Sequence, residues 1–123
     1  MYTKIEYLYR DAGNWKQYKE FIVSGALALS DLKPYLHDGE FFIPGELGLD
    51  NLFPVPFDED DHPWHEIFAI TETSEPPTVS FDSKELIRRF QKAAKNKWHE
   101  SAWTEFGNGY GSIPSLIYTK EEQ

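Results

Sequence analysis

The N-terminal residues alternate between two kinds of side chain, and this pattern constrains the fold more than any other feature of the chain. One predicted face carries Thr3, Ile5, Tyr7 and Tyr9, and the other carries Lys4, Glu6, Leu8 and Arg10. A period of two places successive side chains on opposite faces of a β-strand, so Tyr2–Arg10 is predicted to be a half-buried strand. Residues 11–14 contain Gly and Asn, which favour a turn. Residues 16–27 then predict a second strand, antiparallel to the first.

The strongest helical pattern begins at Asp82. Asp82 and Glu85 have the spacing of a capping box, in which the first carboxylate accepts a backbone N–H and the second reaches back to the cap. An apolar stripe at helical spacing follows, and it consists of Leu86, Ile87, Phe90, Ala93, Ala94 and Trp98. A shorter helix is predicted from Ser30, as the N-cap, to Gly39.

The order of the predicted elements is β-β-α-β-α, which indicates the fold class. The third strand covers residues 66–73, where Phe68 and Ile70 fall on the face opposite Ile67, and residues 116–118 predict a last short strand. We therefore expect an α+β fold, with a small antiparallel sheet of about three to four strands and two helices on one face. A chain of 123 residues is predicted to form a single domain over residues 1–123.

Composition excludes several classes of function. There are no cysteines, so thiol catalysis, thiolate zinc sites and disulfides are excluded. The net charge of −9 disfavours binding to nucleic acids and to anionic membranes. The first residues carry charges where a signal peptide needs an apolar core, and no apolar run approaches the ~20 residues that span a bilayer. We expect a cytoplasmic protein with no membrane partner.

Residues 58–66 form the densest group of reactive side chains, and we call them the acidic/histidine segment. They comprise five carboxylates, two imidazoles and one indole in nine positions. The candidate site within this segment is Asp60, Asp61, His62, Trp64, His65 and Glu66. Its oxygen and nitrogen atoms are of the kinds that bind divalent cations, so Asp60, Asp61, His62 and His65 are the candidate metal ligands.

Other features of the same segment favour a structural role. His62 and His65 are three residues apart and Pro63 disfavours a helix there, so they lack the i, i+4 spacing of helical zinc ligands. Residues 65 and 66 are expected to point to opposite faces of a strand, which separates His65 from Glu66. A solvated acidic loop beside a structural histidine is the simpler interpretation, and no cofactor is predicted apart from the divalent metal.

Six of the 12 basic residues lie within residues 84–97. Lys84, Arg88, Lys92 and Lys95 are predicted to line one face of the helix that follows Asp82. Clustered cations can bind phosphates, but the acidic remainder of the chain opposes a polyanion. A solvated helix face is the simpler interpretation.

Several short patterns resemble a group of small bacterial proteins. They are Tyr9-Arg10-Asp11-Ala12 with Asn14, Gly39-Glu40-Phe41-Phe42-Ile43, Asp60-Asp61-His62 with Trp64-His65-Glu66, and Trp98. The likeness extends from about Ile5 to Trp103, and its most specific part is the aspartate–histidine–tryptophan pattern. The resemblance implies a bacterial cytosolic protein and assigns no activity to any residue.

These patterns favour two functions over a third, an acidic decoy for nucleic-acid-binding proteins, which the basic helix face disfavours. The first is a non-catalytic domain that binds another protein or a small ligand, because the chain is rich in aromatic residues and has no complete catalytic constellation. The second is a metal-assisted hydrolase, in which the acidic/histidine segment would hold a metal that activates water.

Overall fold

The computed structural model describes residues 1–110, which form a four-stranded antiparallel sheet with helices on one face. The sheet order is β2-β1-β4-β3, and the strands are β1 (Tyr2–Arg10), β2 (Lys16–Ser24), β3 (Phe41–Phe42) and β4 (His65–Thr73). The helices are α1 (Leu29–Leu32), α2 (Ser83–Lys95) and α3 (Glu100–Gly107), with 3-10 turns at Lys33–Tyr35, Pro44–Leu47 and Lys97–His99. The predicted α+β class is confirmed. The predicted strand at residues 116–118 lies outside the described residues.

The central strand β1 follows the predicted alternation except at Leu8, which is on the opposite face and is buried as well. Thr3, Ile5, Tyr7 and Tyr9 are all buried, and Ile5 pairs with Phe21 on β2 and with Ile70 on β4. The side chains of Ile5, Tyr7 and Tyr9 join those of the helices and of residues 42–53 in one cluster of buried apolar groups. The core therefore lies on the helical side of the sheet.

A β-bulge in β4 changes which side chains face the core. Opposite β1, Ala69 pairs with Glu6 and Ile67 pairs with Tyr7, so Phe68 is the extra residue. The bulge puts Ile67 on the same face as Ile70, and the prediction that they lie on opposite faces is wrong. An extra residue shifts the two-residue period by one position. The ring of Phe68 instead meets Tyr18 on the outer face, with centroids 5.6 Å apart.

Helix α2 begins as predicted and ends earlier. The Asp82 carboxylate accepts the backbone N–H of Glu85 at 2.9 Å. Glu85 does not reach back, because its carboxylate accepts hydrogen bonds from Arg88 and Arg89. The helix ends at Lys95, and Trp98 has a left-handed φ of 58° in the turn that follows. The prediction that Trp98 continues the apolar stripe of the helix is therefore wrong. With 13 residues α2 is the longest described helix, and no helix within residues 1–110 is long and apolar enough to cross a membrane.

The first helix is shorter than the sequence predicts. It begins at Leu29 with Ala28 as the N-cap, so Ser30 lies inside it. Asp31 organises this start, because its carboxylate accepts the backbone N–H of Ala28 at 2.9 Å. The helical turns end at Tyr35, well before Gly39. Pro34 has no N–H to donate and so favours this early end.

Candidate functional site

The acidic/histidine segment lies at the end of the sheet, beside the turn that joins β1 to β2. The backbone N–H of Ala12 donates to the carbonyl of Asp60 at 3.0 Å. Within the segment, Asp58 Oδ1 accepts from the N–H of Asp60 at 2.8 Å, and Asp61 Oδ2 accepts from the N–H of Asp58 at 2.9 Å. Aspartates commonly stabilise turns through such local bonds to the backbone. Two carboxylates of the segment, those of Asp58 and the candidate Asp61, thus help to shape the loop.

Tyr9 connects this loop to the sheet. Its hydroxyl donates to Asp61 Oδ1 and accepts from the backbone N–H of His62 at 3.4 Å. Burial raises the pKa of the Tyr9 phenol, and the hydrogen bond to Asp61 raises it further. The phenol is therefore a hydrogen-bond donor at neutral pH, and a buried donor of this kind anchors the loop.

Both imidazoles of the segment are bonded to the backbone through both ring nitrogens. His62 Nε2 lies 2.8 Å from the carbonyl of Arg10, and its Nδ1 accepts from the N–H of Trp64 at 3.0 Å. His65 Nδ1 lies 3.0 Å from the carbonyl of Pro63, and its Nε2 accepts from the N–H of Leu52 at 2.9 Å. A carbonyl can only accept, so His62 carries its proton on Nε2 and His65 carries its proton on Nδ1.

His65 is completely buried. Burial lowers the pKa of its imidazole to about 3, against an effect of the Pro63 carbonyl in the other direction. His65 is therefore neutral at neutral pH. Its two bonds join the start of β4 to residue 52, and this is the geometry of a structural histidine.

The remaining candidates of the segment point elsewhere. Glu66 lies on the outer face of the sheet and pairs with Arg10 at 3.0 Å, so it is separated from His65 as predicted. Trp64 stacks on His37, with ring centroids 4.3 Å apart. Within residues 1–110, no three or more His, Asp or Glu side chains are grouped so that they could hold a metal ion. The candidate residues lie close together, but most of the hydrogen bonds of their side chains are to backbone groups and not to one another.

The predicted basic face of α2 is exposed. Lys84, Arg88, Lys92 and Lys95 all lie at the surface, and Arg88 pairs with Glu85 at 2.5 Å. Arg89 is different, because it is 4% exposed and donates to the carbonyl of Leu47 at 2.8 Å. One cation of this helix is thus part of the core.

A cleft that sequence reasoning missed also has the shape of a binding site. It has a volume of about 490 Å³ and lies between residues 49–55 and helix α3. We call it the loop–helix cleft. Its apolar walls are Leu49, Leu52, Phe53, Val55, Trp103 and Phe106, and its polar lining residues are Lys19, Asp50 and Asn51.

Two glycines allow the walls of the loop–helix cleft to approach each other. A Cβ atom on Gly45 would lie 2.5 Å from Trp103 Cη2 and 2.5 Å from Asn51 Nδ2. A Cβ atom on Gly107 would lie 2.2 Å from Cζ of Phe57, whose N–H donates to the Gly107 carbonyl at 2.6 Å. Only glycine permits such contacts without a shift of the neighbours. The loop is therefore packed directly on the backbone of α3.

The polar groups of the loop–helix cleft are arranged by depth. Lys19 Nζ pairs with Asp50 Oδ2 at 2.5 Å, and these side chains are 47% and 25% exposed, so they lie at the mouth. Asn51 Oδ1 accepts from the N–H of Gly45 at 2.9 Å. Trp103 is 1% exposed, and its Nε1 has no hydrogen-bond partner within residues 1–110. A buried indole N–H without a partner is uncommon in folded proteins.

Little in the sequence could have located this cleft. Its residues come from β2, from an irregular proline-rich segment and from α3, and none forms a known motif. The glycines at positions 45 and 107 and the tryptophan at position 103 were the only available signals. Each is equally compatible with an ordinary loop or core.

In comparisons with known proteins, no family model, no curated protein and no solved structure matched this chain.

Proposed function

We propose that this protein is a non-catalytic binding domain and that a small, mainly apolar molecule binds in the loop–helix cleft. The observation that carries the proposal is the cleft itself. Its volume of about 490 Å³ falls within the roughly 300–1,000 Å³ that is usual for small-molecule sites. Apolar walls with a few polar groups are the lining that such sites generally have.

The way the cleft is built supports a preformed site. The close contacts at Gly45 and Gly107 hold both walls against neighbouring backbone, so the cleft does not depend on long, mobile side chains. A rigid cavity avoids part of the entropic cost of ordering a site when the ligand binds. Val55 is 49% exposed at the rim, which leaves an apolar edge where a ligand can enter.

The alternative function, a metal-assisted hydrolase, requires a larger rearrangement. A metal bound to His62 or His65 would need a ring nitrogen that now bonds a backbone group. Loss of those bonds would leave buried or partly buried backbone groups unpaired, at a cost of up to about 1–3 kcal/mol for each group. The loop–helix cleft needs no such change.

The proposal can be tested with ethylbenzene as the probe, followed by ¹H–¹⁵N shifts of the backbone amides. We expect saturable shifts that cluster in residues 49–55 and in α3. Val55→Trp places a large ring at the rim and should weaken binding at least several-fold. Leu29→Trp is the matched control, because Leu29 is 46% exposed on α1, away from the cleft. Scattered or unsaturable shifts, or equal binding by the two variants, would overturn the proposal.

A further inference from the structure

We infer that this protein forms a symmetric dimer, in which strand β2 pairs with β2 of a second copy and the two sheets become one. The pairing does not depend on a ligand in the loop–helix cleft. β2 is an edge strand, because β1 lies on one side of it and no strand within residues 1–110 lies on the other. Its residues 17–20 are exposed. An exposed edge presents unpaired backbone groups that can bond a second strand.

The backbone groups of alternate residues in β2 point away from β1. The N–H of Gly25 donates to the carbonyl of Met1 at 2.8 Å, so the odd-numbered residues of this strand bond β1. The even-numbered residues point outward, as the bonds of Ile22 show. Its N–H donates to Thr78 Oγ1 at 2.9 Å, and its carbonyl accepts from the N–H of Thr78 at 2.9 Å.

The open part of this edge runs from residue 16 to residue 20, because Thr78 covers the edge at Ile22. Within residues 1–110, the outward N–H and carbonyl groups of Lys16, Tyr18 and Glu20 bond no other group. Tyr18 is the centre of this open part, so two such edges in antiparallel pairing have their two-fold axis there. Tyr18 then lies opposite Tyr18, and Lys16 lies opposite Glu20 of the other copy. Each of these pairs can exchange two backbone hydrogen bonds.

The charges along the edge are arranged so that two copies complement each other. On the outer face of the sheet, Lys16 lies opposite Arg10 and Glu20 lies opposite Glu6. One end of the edge is therefore basic, and the other end is acidic. The two-fold axis places each basic end beside the acidic end of the other copy, where opposite charges attract. Edge lysines commonly prevent pairing with other chains, whereas here each lysine meets a carboxylate.

Within one chain these edge charges are incompletely paired. Lys16 forms no ion pair within residues 1–110, since the carboxylate of Glu66 pairs with Arg10 instead. The carboxylate of Glu20 is 3.4 Å from Lys4 Nζ, which has a nearer partner in Glu75 at 2.6 Å. A second copy would therefore supply Lys16 with a carboxylate partner and Glu20 with a further cation.

An apolar patch lies at the centre of the same surface. Tyr18 and Phe68 are 58% and 60% exposed, and their ring centroids are 5.6 Å apart. In the dimer the Tyr18 rings of the two copies lie side by side on the outer face, so the two patches become one. Aromatic pairs across neighbouring strands stabilise a sheet, and exposed apolar patches commonly mark association sites.

Sedimentation velocity of the full chain tests the inference. We expect the 14.3 kDa monomer at low concentration and twice that mass at high concentration, with a Kd on the order of 10 µM, because so short an edge buries less area than a standard interface. The measurement belongs at about 0.15 M NaCl, where salt screens the general repulsion between two chains of charge −9 beyond about 8 Å. A monomer at every concentration up to about 1 mM would overturn the inference.

Exchange of the edge charges tests the register. Lys16→Glu and Glu20→Lys should each weaken the dimer about tenfold, because each places like charges opposite each other on both sides of the axis. The double variant restores the opposite charges and should bind within about threefold of the natural protein. An equimolar mixture of the two single variants should form a mixed dimer in preference to either homodimer. Lys84→Glu on α2 makes the same change of net charge away from the edge, and it should leave the Kd unchanged.

Hydrogen exchange and a proline variant identify the strand. The amides of Tyr18 and Glu20 should exchange slowly only in the dimer, whereas the amide of Ile22, bonded to Thr78, should be protected in both states. Tyr18→Pro removes an N–H that points away from β1, a position where a strand tolerates proline. The variant should lose the dimer and keep the fold, as a thermal melt would verify. If it does not fold, the charge variants decide the question.

Two further results would overturn the inference. A dimer that survives Tyr18→Pro and both single charge variants would use another surface. Slow exchange of the Tyr18 amide in the monomer would show that another part of the chain covers this edge.

Discussion

The stability of this fold should fall between pH 7.5 and pH 5 because His65 is buried in the neutral form. Its imidazole is fully enclosed, and burial lowers the pKa to about 3 from an ordinary 6.5. The unfolded chain takes up a proton on this ring as the pH falls below 6.5, whereas the folded chain does not. Protonation therefore stabilises the unfolded state, and stability is lost as the pH falls from 6.5 towards 3.

The size of the effect follows from the two pKa values of His65, 6.5 and about 3. Between these two pKa values, each fall of one pH unit lowers the free energy of unfolding by about 1.4 kcal/mol, because one proton binds the unfolded chain and does not bind the folded chain. At pH 5 the solution is 1.5 units below the ordinary pKa, so His65 should reduce the free energy of unfolding by about 2 kcal/mol relative to pH 7.5. This is a large part of the ~5–15 kcal/mol that usually holds a domain together.

Urea unfolding at pH 7.5, 6.5, 5.5 and 5.0 would measure this dependence in the natural protein and in His65→Gln. Glutamine does not titrate, and its amide oxygen can replace Nε2 as the acceptor for the N–H of Leu52. The variant should be less stable at pH 7.5, because its side chain fills the site less well. Its loss of stability on acidification should nevertheless be smaller by about 2 kcal/mol.

The comparison isolates His65 because the other titrating groups are the same in both proteins. If the two proteins lose equal stability between pH 7.5 and pH 5, then the imidazole is not held neutral in the fold. Its assignment as a buried bridge between the start of β4 and residue 52 would then be refuted.

Three further predictions follow from the contacts of the site. Tyr9→Phe should lower the free energy of unfolding, measured in urea, by about 2 kcal/mol, because it removes a buried hydrogen bond to a carboxylate of the loop. The control is Tyr18→Phe, at a residue that is 58% exposed, and it should change that free energy by less than about 0.5 kcal/mol. Gly107→Ala should lower the free energy of unfolding by about 1–3 kcal/mol, because its methyl group would lie 2.2 Å from the ring of Phe57. The control is Gly13→Ala, where the nearest atoms to the new methyl group are 3.4 Å away. Equal losses of stability in the two variants would contradict the close packing at Gly107. Thermal melts with Zn²⁺ or Mg²⁺ should show no rise in Tm, because both imidazoles of the acidic/histidine segment bond backbone groups. A rise of several degrees, as expected for a ligand at about 100 times its Kd, would instead support the metal-site hypothesis.

Local patterns predicted most of the secondary structure. The alternation in Tyr2–Arg10 identified the strand and its buried face, because the two-residue period of a strand is a property of the backbone. Asp82 marked the start of α2 for a similar reason, since a cap is satisfied within a few residues of the chain. The opposed directions of His65 and Glu66 also follow from strand geometry alone.

Predictions failed where distant residues decided the local conformation. The sequence around Phe68 contains no signal for a bulge, and pairing with β1 places it there. The helical stripe of α2 includes Trp98, but the backbone turns to a left-handed φ at that residue while its ring packs against Phe90 and Phe42. Packing of a large ring against other elements outweighs the modest free-energy differences among backbone conformations.

The fold class, the central strand, the start of the long helix and the presence of an unusual acidic/histidine segment could all be predicted from the sequence. The role of that segment follows from the packed fold alone, because its imidazoles bond backbone groups that periodicity cannot locate. The same is true of the loop–helix cleft, whose walls come from three parts of the chain far apart in sequence. Periodicity reports which face of one element is apolar, whereas a cavity is the space left between elements once all of them have packed.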